Sequence, residues 1–179
     1  MTSRSRLRTF VATVDDVPGV VNRVASLFRR RSYNIVSLTV GQSELAGLSR
    51  LTVVVEADDA TAARLEASLW KLCDLIDVVE LEPADAIERD LALLKVKADA
   101  ATRAQVIQIA QLFGARVVDI NPDTLVVEIT DARDRIDGLR RVLEPFGIVE
   151  LVRTGVIAMP RATPPRSTPP QLDAATRGT

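Results

Sequence analysis

Apolar positions along this chain follow two periods in alternation, and the alternation passes through the same order twice. Residues 7–14, rich in Leu, Val, Thr and Phe, predict a strand. Val20, Val21, Val24, Leu27 and Phe28 then recur at helical spacing, with Asn22, Arg23, Arg29 and Arg30 on the opposite face. Residues 34–41 and 49–56 are β-branched runs separated by the polar, glycine-containing stretch "QSELAGL". Past "ADDAT", a helix-start signal, Leu65, Leu69, Leu72 and Ile76 mark a second amphipathic helix, and residues 78–81 a short strand. The order is β-α-β-β-α-β.

After "EPADAIERD" the order repeats. A strand over 90–98 precedes a helix with Val106, Ile109, Ala110 and Phe113 inward, then strands over 115–120 and 125–130. A helix carrying Ile136, Leu139, Val142 and Leu143 and a last strand over 149–158 complete the unit. "NPDT" joins the middle strands, with Pro122 in the favoured second position of a type I turn. Two successive units of this kind predict an α+β chain of two tandem ferredoxin-like βαββαβ modules, over 1–82 and 83–160, each an antiparallel sheet with helices on one face. Modules of about 80 residues bury modest cores, so docking between them, or dimerisation through an exposed sheet face or edge, should add stability. Residues 161–179 follow Pro160 in a stretch holding five of the nine prolines and one large apolar residue, Leu172, and are expected to be disordered.

Composition narrows the chemistry. The 179 residues carry a net charge of -1, so no whole-chain field attracts nucleic acid or anionic membrane. One cysteine and no histidine remove disulfides, Cys/His metal clusters and histidine-based nucleophile pairs. No signal-like segment or membrane-length apolar run is present, which predicts a soluble cytoplasmic protein. Base stacking on the sheet needs aromatic residues on the central strands, and aromatics are 3% of the chain. Metal carriage would use paired thiols, whereas Cys73 stands alone and is expected to be a small buried hydrophobe at a helix end. "PGVVNR", residues 18–23, is similar to the phosphoryl-holding loop of acylphosphatases, but Asp15 and Asp16 beside it would repel phosphate.

The remaining reading is small-molecule sensing. "DDVPGVVNRVASLFRRRSYNIVSLTVGQSE" followed by "LSRLTVVVE" resembles the amino-terminal ACT domain of the acetolactate synthase (acetohydroxyacid synthase) small regulatory subunit family. "WKLCDLIDVVEL", "ERDLALLKV", "FGARVVDI" and "PFGIVELVRTGVIAMPR" resemble the second half of the same family, so the likeness spans residues 5–161. It implies a chain without catalytic activity or cofactor of its own. Such a chain dimerises through its ACT domains, activates a large catalytic subunit that holds thiamine diphosphate, Mg2+ and FAD, and confers feedback inhibition by valine or a related amino acid. A free-standing amino-acid sensor is the alternative within the same fold.

The resemblance also implies an effector site between the first strand–helix loop of one protomer and the edge near the second strand of a neighbour. There Gly19, lacking Cβ, and the Val20 N–H would receive the ligand carboxylate, Asp16 and the Asn34 side chain would accept from its ammonium, and Pro18 and Ile35 flank them. The same residues also suit an ordinary helix start, with Asp16 as cap and Pro18 in the first turn, and Asn34 suits a left-handed exit after Tyr33. Relatives commonly have asparagine at the position of Asp16, whose extra negative charge would face the ligand carboxylate, and often glycine at that of Ser32. Arg29, Arg30 and Arg31 complement the dipole at the end of the first helix or contact the catalytic subunit. The matching loop of the second module, "KADAATRAQ", has no Pro-Gly pair and no counterpart of Gly19, so the second module is expected to assist dimerisation or response rather than bind the effector.

Overall fold

The computed structural model describes residues 5–162; the rest of the stretch expected to be disordered, from 163 on, lies outside the described residues. β1 (Arg6–Asp15), α1 (Val20–Arg30), β2 (Ile35–Gln42), β3 (Leu48–Ala57), α2 (Asp59–Leu69) and β4 (Leu75–Leu81) form the first module. Its sheet has the order β2-β3-β1-β4, with every neighbouring pair antiparallel. Alternation along the strands turns Phe10, Ala12, Val14, Leu51, Val53 and Val55 toward the helices, where they close a core with Val24, Leu27, Phe28, Leu65 and Leu69. Each fully buried side chain of this kind contributes about 1.5–3 kcal/mol.

Two expectations fail in detail here. Val21 is 39% exposed, because one residue past Val20 it lies about 100° round the helix from the core stripe. Leu72 and Ile76 do not continue α2: the helix ends at Leu69, and Ile76 belongs to β4, where Leu75 pairs with Val14. Residues four apart share a face on a helix and on a strand alike, so the spacing did not separate the two.

β5 (Ala86–Lys97), α3 (Arg103–Leu112), β6 (Arg116–Ile120), β7 (Thr124–Asp131), α4 (Arg133–Leu143), a short 3-10 turn, β8 (Ile148–Arg153) and β9 (Ile157–Pro160) form the second module. Its main sheet runs β6-β7-β5-β8, and Leu94, Val96, Val106, Leu125, Val127, Ile136, Leu139 and Leu143 lie in its core. Val142, expected inward, is 44% exposed. The turn at 121–124 is closed by Asn121, whose Oδ1 accepts from the N–H of Asp123 at 3.0 Å and of Thr124 at 2.8 Å. No helix among the described residues is long and apolar enough to cross a membrane.

The expected last strand is broken in two. Gly155, at φ 89°, kinks the chain between β8 and β9. β8 stays on the second sheet, whereas β9 pairs with the first residues of β5, from Ala86↔Pro160 to Arg89↔Ile157. This ribbon lies on the outer face of the first sheet, burying Val11, Val54 and Leu81 against Ala86, Val156 and Ala158. Thr9 donates its hydroxyl to Glu88 at 2.6 Å, and the Val156 N–H donates to Ser37 Oγ at 3.0 Å. A Cβ at Gly155 would stand 2.6 Å from Ser37 Oγ and 2.9 Å from Thr39 Oγ1, so only glycine permits this approach.

Candidate functional site

The loop that follows β1 is clamped from both sides. The Asp15 N–H donates to the Asp74 carbonyl at 2.9 Å and the Asp16 N–H to the Gly47 carbonyl at 2.8 Å. The Asp16 carboxylate accepts from the Ser49 hydroxyl at 3.2 Å and does not cap α1. Pro18 is exposed and precedes Gly19, which is the N-cap at φ 88° and ψ -3°, a left-handed conformation open to glycine at little cost. Val20 is the first helical residue; its side chain is buried and its N–H turns back to the Val17 carbonyl at 3.3 Å. Among the described residues the N–H groups of Gly19, Val21 and Asn22 have no acceptor, so the open donors flank Val20 rather than include it.

Arg23 and Asp74 belong to this site although neither carried a role in the effector constellation. The Arg23 guanidinium lies beside Gly19, its Nη1 3.2 Å from the point a Cβ there would occupy. Its Nε donates to Asp74 Oδ2, and this hydrogen bond is the main reason the Asp74 carboxyl is held below the usual carboxylate range. Arg23 is legible in the sequence as one turn past Gly19; Asp74, 51 residues away, comes to it only when β4 pairs with β1. A cation thus lies beside the open donors and is already partnered, which suits a carboxylate better than a phosphoryl group. Cys73, next to Asp74, is exposed in a turn rather than buried at a helix end.

Asn34 and Ile35 lie at the other end of α1. The helix closes with a Schellman arrangement in which the Ser32 N–H donates to Arg29 O at 3.1 Å and the Tyr33 N–H to Phe28 O at 3.0 Å. Phe28 and Tyr33 pack edge to face, with ring centroids 6.1 Å apart. Ser32, at φ 55°, is the left-handed residue, and Asn34 is not; six-to-one pairing places that conformation one residue before Tyr33. Asn34 is exposed, and Ile35 is half-buried at the start of the edge strand β2. Eleven helical residues separate Gly19 from the exit, about 16 Å, so one chain cannot bring Gly19 and Asn34 to one small molecule. A second copy can.

In the second module the N–H groups leading into α3 converge on a carboxylate of the chain itself. Asp99 Oδ1 accepts from Ala101 N–H at 3.0 Å, Thr102 N–H at 2.9 Å and the Thr102 hydroxyl at 2.8 Å. These bonds, that from the Thr102 side chain foremost, hold the Asp99 carboxyl below its ordinary value.

Comparison with known proteins follows the same division of the chain. Residues 10–80 match the family described as the AHAS small subunit-like ACT domain, and residues 89–162 the family described as the small subunit of acetolactate synthase. The acetolactate synthase small subunit of Mycobacterium leprae is 46% identical over 153 residues, covering 86% of this chain and 90% of the relative. The probable acetolactate synthase small subunit of Methanothermobacter thermautotrophicus is 43% identical over 153 residues, covering 85% and 91%. The crystal structure of the acetolactate synthase small subunit from Thermotoga maritima matches with a TM-score of 0.81 at 35% identity, over 88% of this chain and 99% of that one.

Proposed function

The chain belongs to the family of acetolactate synthase small subunits, and on that premise we propose that it activates a large catalytic subunit and makes it sensitive to valine or a related branched-chain amino acid. The observation that carries this reading is the uncapped entry of α1. The Gly19 and Val21 N–H groups face no acceptor of their own and would receive the ligand carboxylate, with the Arg23 guanidinium beside them. Asp16 and the Asn34 side chain of a second copy would accept from the ammonium. Val17 and Val21, 41% and 39% exposed, flank the loop and would cover an aliphatic side chain. Thiamine diphosphate, Mg2+ and FAD would belong to the catalytic partner.

Feedback requires that the amino acid bind one arrangement of the dimer better than another. A ligand shared between the Gly19 loop of one copy and Asn34 of the next meets that condition, because its affinity depends on how the copies are placed. The test is reconstitution with the cognate catalytic subunit, measuring acetolactate formation alone, with this chain, and with valine added. Stimulation followed by valine inhibition is expected; absence of stimulation would overturn the subunit reading. Asp16→Asn removes a negative charge beside the ligand carboxylate and is expected to lower the half-inhibitory valine concentration roughly five- to tenfold.

A further inference from the structure

The loop that leads into α1 carries two charged side chains, Asp15 and Asp16, and both are acidic. By themselves they would repel an anion from the open N–H donors beside them. The cation that offsets them is Arg23, one helical turn on, whose own N–H donates to the Gly19 carbonyl at 3.0 Å. Asp74 sets its placement. The Asp74 carbonyl accepts from the Asp15 N–H at 2.9 Å, which fastens this residue to the same loop by its backbone. Its carboxylate accepts from Arg23 Nε and from the Cys73 thiol, the latter at 3.4 Å. The side chain of Asp74 is 16% exposed and that of Arg23 39%, so the carboxylate is the more sheltered of the pair. Arg23 Nη1, which donates to no acceptor among the described residues, lies 3.2 Å from the point a Cβ on Gly19 would occupy.

We propose that Asp74 is a positioning residue of the effector site: by holding Arg23 Nε it aims the free edge of the guanidinium at the space over Gly19, and so makes the site selective for amino acids with a free α-carboxylate. The proposal rests on the effector reading above and adds to it the source of the selectivity. An arginine presents its N–H donors in a rigid planar fork, so engaging Nε fixes the direction of the others. An unanchored side chain would give up its rotamer freedom on binding, whereas one already held meets its anion without that loss. A hydrogen bond from a guanidinium to an ionised carboxylate is also stronger than one to a neutral carbonyl, so an amide in the same place gains less. Both residues belong to the chain that supplies Gly19. The selectivity therefore does not depend on which copy supplies Asn34.

The experiment measures, by titration calorimetry on the full chain, affinity for valine and for valinamide, which keeps the ammonium and the side chain but lacks the carboxylate charge. The unaltered chain is expected to prefer valine about 50-fold. Arg23→Gln and Asp74→Ala should each reduce that preference to about fivefold, and the double variant should match Arg23→Gln alone, because Asp74 acts through Arg23. Asp74→Ser, whose side chain is too short to hold Nε, is a second truncation with the same expectation should Asp74→Ala fail to fold. Asp74→Asn keeps an acceptor for Nε without the charge, and is expected to retain the full preference. Loss of affinity for both ligands by the same factor in the truncated variants overturns the proposal and leaves the pair as a tie between α1 and β4. A preference that rises in Asp74→Ala also overturns it, since Asp74 would then act only as a counter-charge. Absence of valine binding by the unaltered chain would instead overturn the effector reading, and the proposal with it.

Discussion

At the start of α1 the chain places a glycine at φ 88° and no capping side chain; at the start of α3 it places Asp99, whose carboxylate collects two backbone N–H groups and a hydroxyl. The second loop supplies internally the kind of group that the first, on the function proposed above, would take from a ligand. Two modules with the same order of elements therefore differ in what their equivalent loops can bind, and the difference is chemical rather than topological. Their outer sheet faces differ as well. The first sheet is covered by the ribbon of β5 and β9, whereas the second module contributes that cover and, among the described residues, receives no such ribbon in return.

The largest expected effect breaks the cover. Gly155→Ala adds a methyl group in contact with Ser37 and Thr39 at a positive φ, and should cost about 3 kcal/mol from strain and overpacking together. Urea unfolding is expected to shift to a lower midpoint and split into two transitions as the modules uncouple; a single transition at the original midpoint would show that the cover contributes little. Next in size, Gly19→Ala forces a side chain into a left-handed position against Arg23. Titration calorimetry should show valine affinity reduced about tenfold or more, since a shift of ~1.4 kcal/mol is a factor of ten. Unchanged affinity would remove the α1 entry from the site.

The smallest effect sharpens the comparison at the helix exits, where Ser32 in the first module and Gly114 in the second occupy the same left-handed position, φ 55° and φ 71°. α3 closes as α1 does, with the Gly114 N–H donating to Gln111 O and the Ala115 N–H to Ala110 O, both at 2.9 Å. Ser32→Gly should stabilise by about 0.5–1 kcal/mol, because relief of the left-handed strain exceeds the added freedom of the unfolded chain. Gly114→Ala should destabilise by about 1 kcal/mol. Equal and opposite shifts in thermal midpoint would establish that the two exits are the same device with different residues.

Much of the fold was legible because its cause is local. Phe10, Ala12 and Val14 recur at every second position, and Val20, Val24, Leu27 and Phe28 repeat at helical spacing, so the strand, the helix and the helix's inward face were present in short windows. The errors fell where one spacing serves two periods, as at Leu72 and Ile76, or where a core stripe meets its border, as at Val21 and Val142. Of the candidate site, Gly19 was readable from its conformational demand. The turning of the Val20 N–H toward Val17 and the left-handed state of Ser32 rather than Asn34 were not, since each depends on which of several neighbouring backbone hydrogen bonds forms.

Element order, the tandem repeat, and the presence of a Pro-Gly entry in one loop and its absence from the other follow from residues a few positions apart, through sterics and periodic burial. Other features arose only when distant strands met. Arg23 reached Asp74 across 51 residues, and the Val156 N–H reached Ser37 across 119. The strand after α4 broke at Gly155 because its second part is better buried on the first module than extended on the second. Gly19 and Asn34, close on paper within one quoted stretch, were set beyond opposite ends of a helix about 16 Å long. Local chemistry prepares each half of the site, but which halves can touch one ligand depends on helix length and on surfaces that no short window of sequence contains.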